Sequence, residues 1–233
     1  KDDLLNLKLS KSYKKFFDCT EKIEFNSSRL MYESFEFESM QETWDMISLL
    51  KLPEIASSYL KCDPIITSIM SWVVVPSNLG KSAEENYSWT AQTYHYDMDW
   101  IKFIKFFINL DNVSELNGPF EFISGSHINR PDNFYRQRRF DYSELQESKL
   151  DKKKVLAIGD FGTCFAADTS GLHRDGRALE GYRQVMQVEF AISTFGAGFK
   201  NFYKKYETSR KKMKSNCIVF PNNFTSRMLT LYR

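Results

Sequence analysis

A chain of 233 residues is long enough for one domain with a substantial core, and its 42% apolar and 15% aromatic content excludes a disordered polymer. The formal net charge of +2 supplies no global field for nucleic acid or an anionic membrane surface. Four scattered cysteines, Cys19, Cys62, Cys164 and Cys217, lack CxxC spacing, which excludes zinc-ribbon and thioredoxin-type sites.

The first third reads as mainly helical, with apolar residues at helical spacing over 12–23 and again over 40–50. Pro53 interrupts, and a short helix over 54–60 follows. From Pro64 the pattern turns to strands. Segment 65–76 is β-branched and apolar, as in a strand covered on both faces. A polar loop at 78–86 leads to strands over 88–97, 101–110, 120–124, 155–158, 163–168 and 184–192. Asn117-Gly118-Pro119 and Gly159-Asp160 mark turns. Short strands at this spacing predict a sandwich or barrel. Between His127 and Lys154 lies a long polar insertion of no clear period, the kind of segment that serves as a lid or a mobile loop. No run of about 18 apolar residues and no signal-peptide core occurs, so a protein of the reducing cytoplasm is expected, with Cys164 a buried free thiol.

Chemistry concentrates around the histidines. His95 and Asp97 stand two apart in a strand-like segment and leave the same face. With His173 from a later strand they form two imidazoles and one carboxylate, the ligand set of a non-haem Fe(II) centre that keeps positions open for cosubstrate and O2. Alone, His95 reads also as a core histidine satisfied by Asp97 or a backbone carbonyl. Asp99, on the same face, is an alternative ligand, and Asp97 is preferred because His-x-Asp is the commoner local geometry. Arg183 follows His173 by ten residues, in phase with Val185 and Gln187. An arginine facing a barrel interior needs an anion, and a cosubstrate carboxylate would serve. Gln187 faces the same interior. His127, after a small-residue turn, suits loop ordering or a pocket role better than metal ligation.

Four segments together resemble the phytanoyl-CoA dioxygenase-like branch of the Fe(II)/2-oxoglutarate-dependent oxygenases: AQTYHYDMDW, FFINLDNVSELNGPFEFISGSH, GDFGTCFAADTSGLHRDG and GYRQVMQVEFA. The resemblance spans residues 64–195. It implies a double-stranded β-helix, or jelly roll, with flanking helices, as a single oxygenase domain: a mainly helical part over 1–63, a catalytic core over 64–195 and a basic extension over 196–233. It also implies that His95, Asp97 and His173 bind Fe(II), that Arg183 holds the distal carboxylate of 2-oxoglutarate, and that Gln187 assists. The implied reaction consumes O2, converts 2-oxoglutarate to succinate and CO2, and hydroxylates a C–H bond. One departure is Asp175, two residues after His173, where relatives often carry a small hydroxyl residue; Arg174 or Arg177 is expected to offset its charge. Asp97 itself is retained, whereas halogenating relatives replace that carboxylate, which favours hydroxylation.

Gln92, Asp99, Trp100, His127 and Arg136 are candidate substrate contacts. The arginines of the insertion, Arg130, Arg136, Arg138 and Arg139, suit an anionic small molecule, although neighbouring acids make a solvated loop equally fitting. Two other classes compete: a non-oxidative cupin-like hydrolase or isomerase on the same three ligands, and a jelly-roll module that binds sugars through Trp89 and Trp100. No nucleic-acid partner and no membrane span are expected.

Overall fold

The computed structural model describes residues 29–32, 41–74, 76, 92–135 and 139–193. The expected helix at 12–23, the loop at 78–86, Trp89, Arg136, Arg138 and the basic extension lie outside the described residues. Two antiparallel sheets face one another. The larger has the order β1 (Arg29–Tyr32), β2 (Ile65–Val74), β8 (Arg183–Ala191), β3 (Phe103–Asn109) and β6 (Cys164–Ala167). The smaller has the order β5 (Lys154–Ala157), β4 (Phe120–Ile123) and β7 (His173–Asp175). This is the double-stranded β-helix that the family resemblance implied, within the sandwich or barrel class read from the strand pattern.

Helices α1 (Gln41–Leu49) and α2 (Leu52–Leu60) cover the outer face of the large sheet. The break between them falls at Lys51, whose backbone is left-handed (φ 53°), and not at Pro53. Pro53 lies within the first turn of α2, where its missing N–H has no helical partner to lose. Leu52, Ala56 and Leu60 then recur at one-turn spacing and pack on Ile69, Phe106 and Phe190. A register shift in β2 between Ile66 and Ser68 lets Ile66 and Ile69, three residues apart, both reach this helix-covered face.

Strands β3 and β8 are buried along their whole length. Their even-numbered residues meet the helices, and their odd-numbered residues face the small sheet. The odd face carries Lys105 on β3 and Arg183, Gln187 and Glu189 on β8, all buried polar groups that need partners. At the start of β4, Gly118 has φ +73°, and a Cβ there would stand 2.6 Å from the Gly176 carbonyl. The turn therefore demands glycine on two counts.

The helix break is one departure from the sequence reading, and others follow. Of the strand expected over 88–97, the described residues 92–97 form only isolated bridges at Tyr94 and His95. Strand β1 lies within the part read as mainly helical. Cys164 is free but half-buried. The insertion departs too, because its polar composition conceals a small core of its own. Phe134, Phe140, Leu145 and Leu150 are buried with Tyr94, Tyr96, Ile123 and Leu172 behind the small sheet. Helix α3 (Tyr142–Glu147) is closed by a capping box between Asp141 and Glu144. The Phe140 N–H donates to the Tyr94 carbonyl at 2.8 Å, tying the insertion to the segment that carries His95. Among the described residues no helix is long and apolar enough to cross a membrane.

Phe140→Ala is expected to destabilise the fold by about 3–5 kcal/mol, the range for emptying a buried phenylalanine site. Urea denaturation followed by circular dichroism measures this, with an unchanged m-value marking a loss of packing alone.

Candidate metal centre

His95 and His173 form an antiparallel backbone bridge. The His95 N–H donates to the His173 carbonyl at 2.9 Å and the His173 N–H returns the bond at 2.8 Å. Directly opposed residues send their side chains to one face, and the two imidazole centroids are 4.4 Å apart. The Asp97 N–H donates to the Thr169 carbonyl at 2.8 Å, which sets the carboxylate beside them. Asp97 Oδ1 lies 3.8 Å from His95 Nε2, and Oδ2 lies 3.5 Å from His173 Nε2. One ligand atom from each of the three residues falls within 4.8 Å of the other two. Asp99 does not join this cluster, so Asp97 is the carboxylate of the group that could hold a metal ion.

The tautomers are set by the backbone. His95 Nδ1–H donates to the Thr93 carbonyl at 2.8 Å, and His173 Nδ1–H donates to the Gly171 carbonyl at 2.9 Å. In both rings the lone pair is thereby left on Nε2, facing the carboxylate. Burial lowers the pKa of His95 and pushes that of His173 down to about 4, so both rings are neutral near pH 7. Burial alone would raise the Asp97 carboxyl, but His173 and the Lys105 ammonium outweigh it and hold the group at about 2. Two neutral imidazoles and an ionised carboxylate suit a divalent cation. Gly171 has a close-approach role: a Cβ there would meet Phe122 Cζ at 2.7 Å and Ser126 Oγ at 2.8 Å.

Lys105 joins the site without having stood out in the sequence. Its ammonium donates to Asp97 Oδ2 and Asp99 Oδ2, each at 2.7 Å, and lies 3.4 Å from Glu189 Oε2. Burial opposes its charge, yet the three carboxylates more than compensate and raise its pKa. A lone lysine in the apolar run Phe103–Asn109, in phase with Phe107, was the available signal.

A cavity of about 260 Å³ opens on the three ligand residues, lined also by Lys105, Phe120, Asp175 and Gln187. Gln187 thus reaches the site as expected, and its Nε2 has no hydrogen-bond partner among the described residues. Arg183 is wholly buried and donates through Nη2 to Asp175 Oδ1. The charge of Asp175 is therefore offset by Arg183; Arg174, expected in that role, instead grips Glu121 through Nε at 2.9 Å and Nη2 at 3.0 Å. Asp99 and Trp100 border an adjoining hollow of about 710 Å³. The Trp100 indole N–H is engaged by Glu189 at 2.6 Å. Gln92 opens onto a different hollow beside Arg174 and Arg177. His127 stands against the Phe122 ring, outside the ligand cluster. Arg136 lies outside the described residues.

No protein-family model and no curated protein matches the sequence. Solved structures do share its fold. The epimerase SnoN, solved with Fe3+, alpha ketoglutarate and nogalamycin RO, has a TM-score of 0.56 at 13% identity, covering 82% of this chain and 75% of its own. The non-heme alpha ketoglutarate dependent carbocyclase SnoK has a TM-score of 0.55 at 13% identity, over 79% of this chain and 75% of its own. EvdMO1 has a TM-score of 0.53 at 18% identity over 82% of this chain, which spans only 45% of EvdMO1. At such identities the likeness is one of fold.

Gly171→Ala puts a Cβ against Phe122 Cζ and Ser126 Oγ and is expected to shift the Gly171 carbonyl that orients His173, weakening Zn(II) binding about 10–100-fold, as disturbing an imidazole's outer hydrogen bond does; calorimetry measures this. Lys105→Met leaves the buried carboxylates uncompensated and is expected to cost the metal-free protein about 3 kcal/mol. Added divalent metal should then raise its melting temperature more than that of the wild type.

Proposed function

We propose that this chain is an Fe(II)- and 2-oxoglutarate-dependent oxygenase of the phytanoyl-CoA dioxygenase-like type, which oxidises a C–H bond of a small molecule. The observation that carries the reading is the convergence of His95, Asp97 and His173, with both Nε2 lone pairs directed at one carboxylate. These donors fit Fe(II), which, with 2-oxoglutarate and O2, supplies the C–H oxidation and leaves succinate and CO2. The orphaned buried donors Gln187 Nε2 and Arg183 Nε suit the oxygen-rich cosubstrate. Phe120, packed on the His173 ring, keeps that side of the site dry. Retention of Asp97 favours hydroxylation over halogenation, and epimerisation and ring closure by SnoN and SnoK belong to the same range of outcomes.

On this reading the substrate occupies the hollow that shares Asp97 and Asp99 with the cavity at the three residues. Met98, Ile101 and Tyr135 expose apolar surface there. Arg130 lies 3.8 Å over the Tyr96 ring and donates to the Ser170 carbonyl. A molecule with an apolar body and one anionic group matches this lining.

The Asp175–Arg183 pair favours one other reading, a non-oxidative cupin-like hydrolase or isomerase, in which the arginine serves structure alone. Anaerobic titration of the Fe(II)-loaded protein with 2-oxoglutarate to millimolar concentration separates the two. The oxygenase reading expects the visible charge-transfer band of a chelated 2-oxo acid. Bound iron without the band transfers the assignment to the non-oxidative enzyme. His95→Ala and Asp97→Ala should each abolish iron binding while far-ultraviolet circular dichroism stays unchanged.

A further inference from the structure

The guanidinium of Arg183 is already neutralised. Its side chain is 1% exposed and that of its partner Asp175 is 4% exposed, so water screens neither. Asp175 lines the cavity that holds the three ligand residues, and Arg183 stands behind it. A second carboxylate arriving at Arg183 therefore meets a buried pair of zero net charge, with the negative member on the cavity side. Hydrogen-bonding capacity is still open, because Arg183 Nε has no partner among the described residues. What the pair withholds is charge. Among the described residues that line the cavity, the lysine, Lys105, is engaged with Asp97, Asp99 and Glu189.

We propose that Asp175 is the residue that sets cosubstrate selectivity, disfavouring a 2-oxo acid with a distal carboxylate relative to one with an uncharged tail. This rests on the oxygenase reading above. Asp175 acts through Arg183 and is a specificity residue, separate from the catalytic groups. Replacing it by a neutral side chain frees the guanidinium for the distal carboxylate, so affinity for 2-oxoglutarate rises, while affinity for an uncharged-tail analogue is unaffected.

The test is calorimetric binding of 2-oxoglutarate and of 2-oxopentanoate, which has the same carbon count and no distal carboxylate, to the Zn(II)-loaded protein. Wild type, Asp175→Ser and the shape-preserving Asp175→Asn are compared, after zinc affinity has shown each site intact. Wild type is expected to bind 2-oxoglutarate no tighter than 2-oxopentanoate. Both variants are expected to gain at least ~10-fold for 2-oxoglutarate, the scale of one hydrogen bond to a charged group, with little change for 2-oxopentanoate. Equal 2-oxoglutarate affinity in all three proteins overturns the role of Asp175 and leaves the oxygenase reading standing. A loss of 2-oxoglutarate affinity in the variants also overturns it, because Asp175 would then be orienting Arg183 for the cosubstrate. Failure of both 2-oxo acids to bind any of the three zinc-loaded proteins removes the selectivity and the oxygenase reading together.

Discussion

The site depends on one backbone pairing. Two hydrogen bonds exchanged between His95 and His173 join residues that are far apart in sequence and leave their imidazoles on one face. Everything else at the centre refines that pairing. The carbonyls of Thr93 and Gly171, each two residues before its histidine, turn both rings the same way. The backbone bond from Asp97 to Thr169 then delivers the carboxylate to the gap between them. Main-chain geometry thus holds one donor atom from each of the three residues within 4.8 Å of the others.

Such a pairing holds only if the strand-like segment bearing His95 is anchored from behind. Tyr94 and Tyr96 flank the histidine and point away from it, into the core formed by Phe134, Phe140, Leu145 and Leu150. Tyr94 O–H donates to Glu121 Oε2 at 2.5 Å, and Arg174 holds the same carboxylate at two points. The insertion is therefore a buttress for the metal face, and its polar residues form the solvent side of that buttress. The large sheet is braced in the same manner by α1 and α2. Each wall of the cavity has apolar packing behind it, which allows charged groups to be held inside.

The two cations beside the cavity already have partners. Lys105 serves three carboxylates and Arg183 serves Asp175. In a low-dielectric interior an unpaired ion is costly, so buried cations arrive with partners. The consequence for function is that an incoming anion competes with groups of the protein. This distinguishes the site from one in which an arginine waits unpaired for its ligand.

Periodicity and spacing made much of this legible. Strands β2, β3 and β8 follow from β-branched, apolar runs, and the interior phase of Arg183, Val185 and Gln187 follows from alternation along one strand. His95, Asp97 and His173 announce themselves by residue type and order. Each is a local property, because the two-residue repeat of a strand fixes which side chains share a face. The partner of Arg183, the triple engagement of Lys105 and the separate hollow beside Gln92 were hidden, because each depends on register between strands distant in the chain. The insertion misled for a related reason: four apolar residues, sparsely spaced, form a core only when folded against Tyr94 and Tyr96. Composition and local pattern thus specified the class of fold and the three side chains that meet at the candidate metal site. Which charges meet, and which cation is left for a substrate, was settled by the long-range packing of two sheets, for which a linear pattern holds no coordinate.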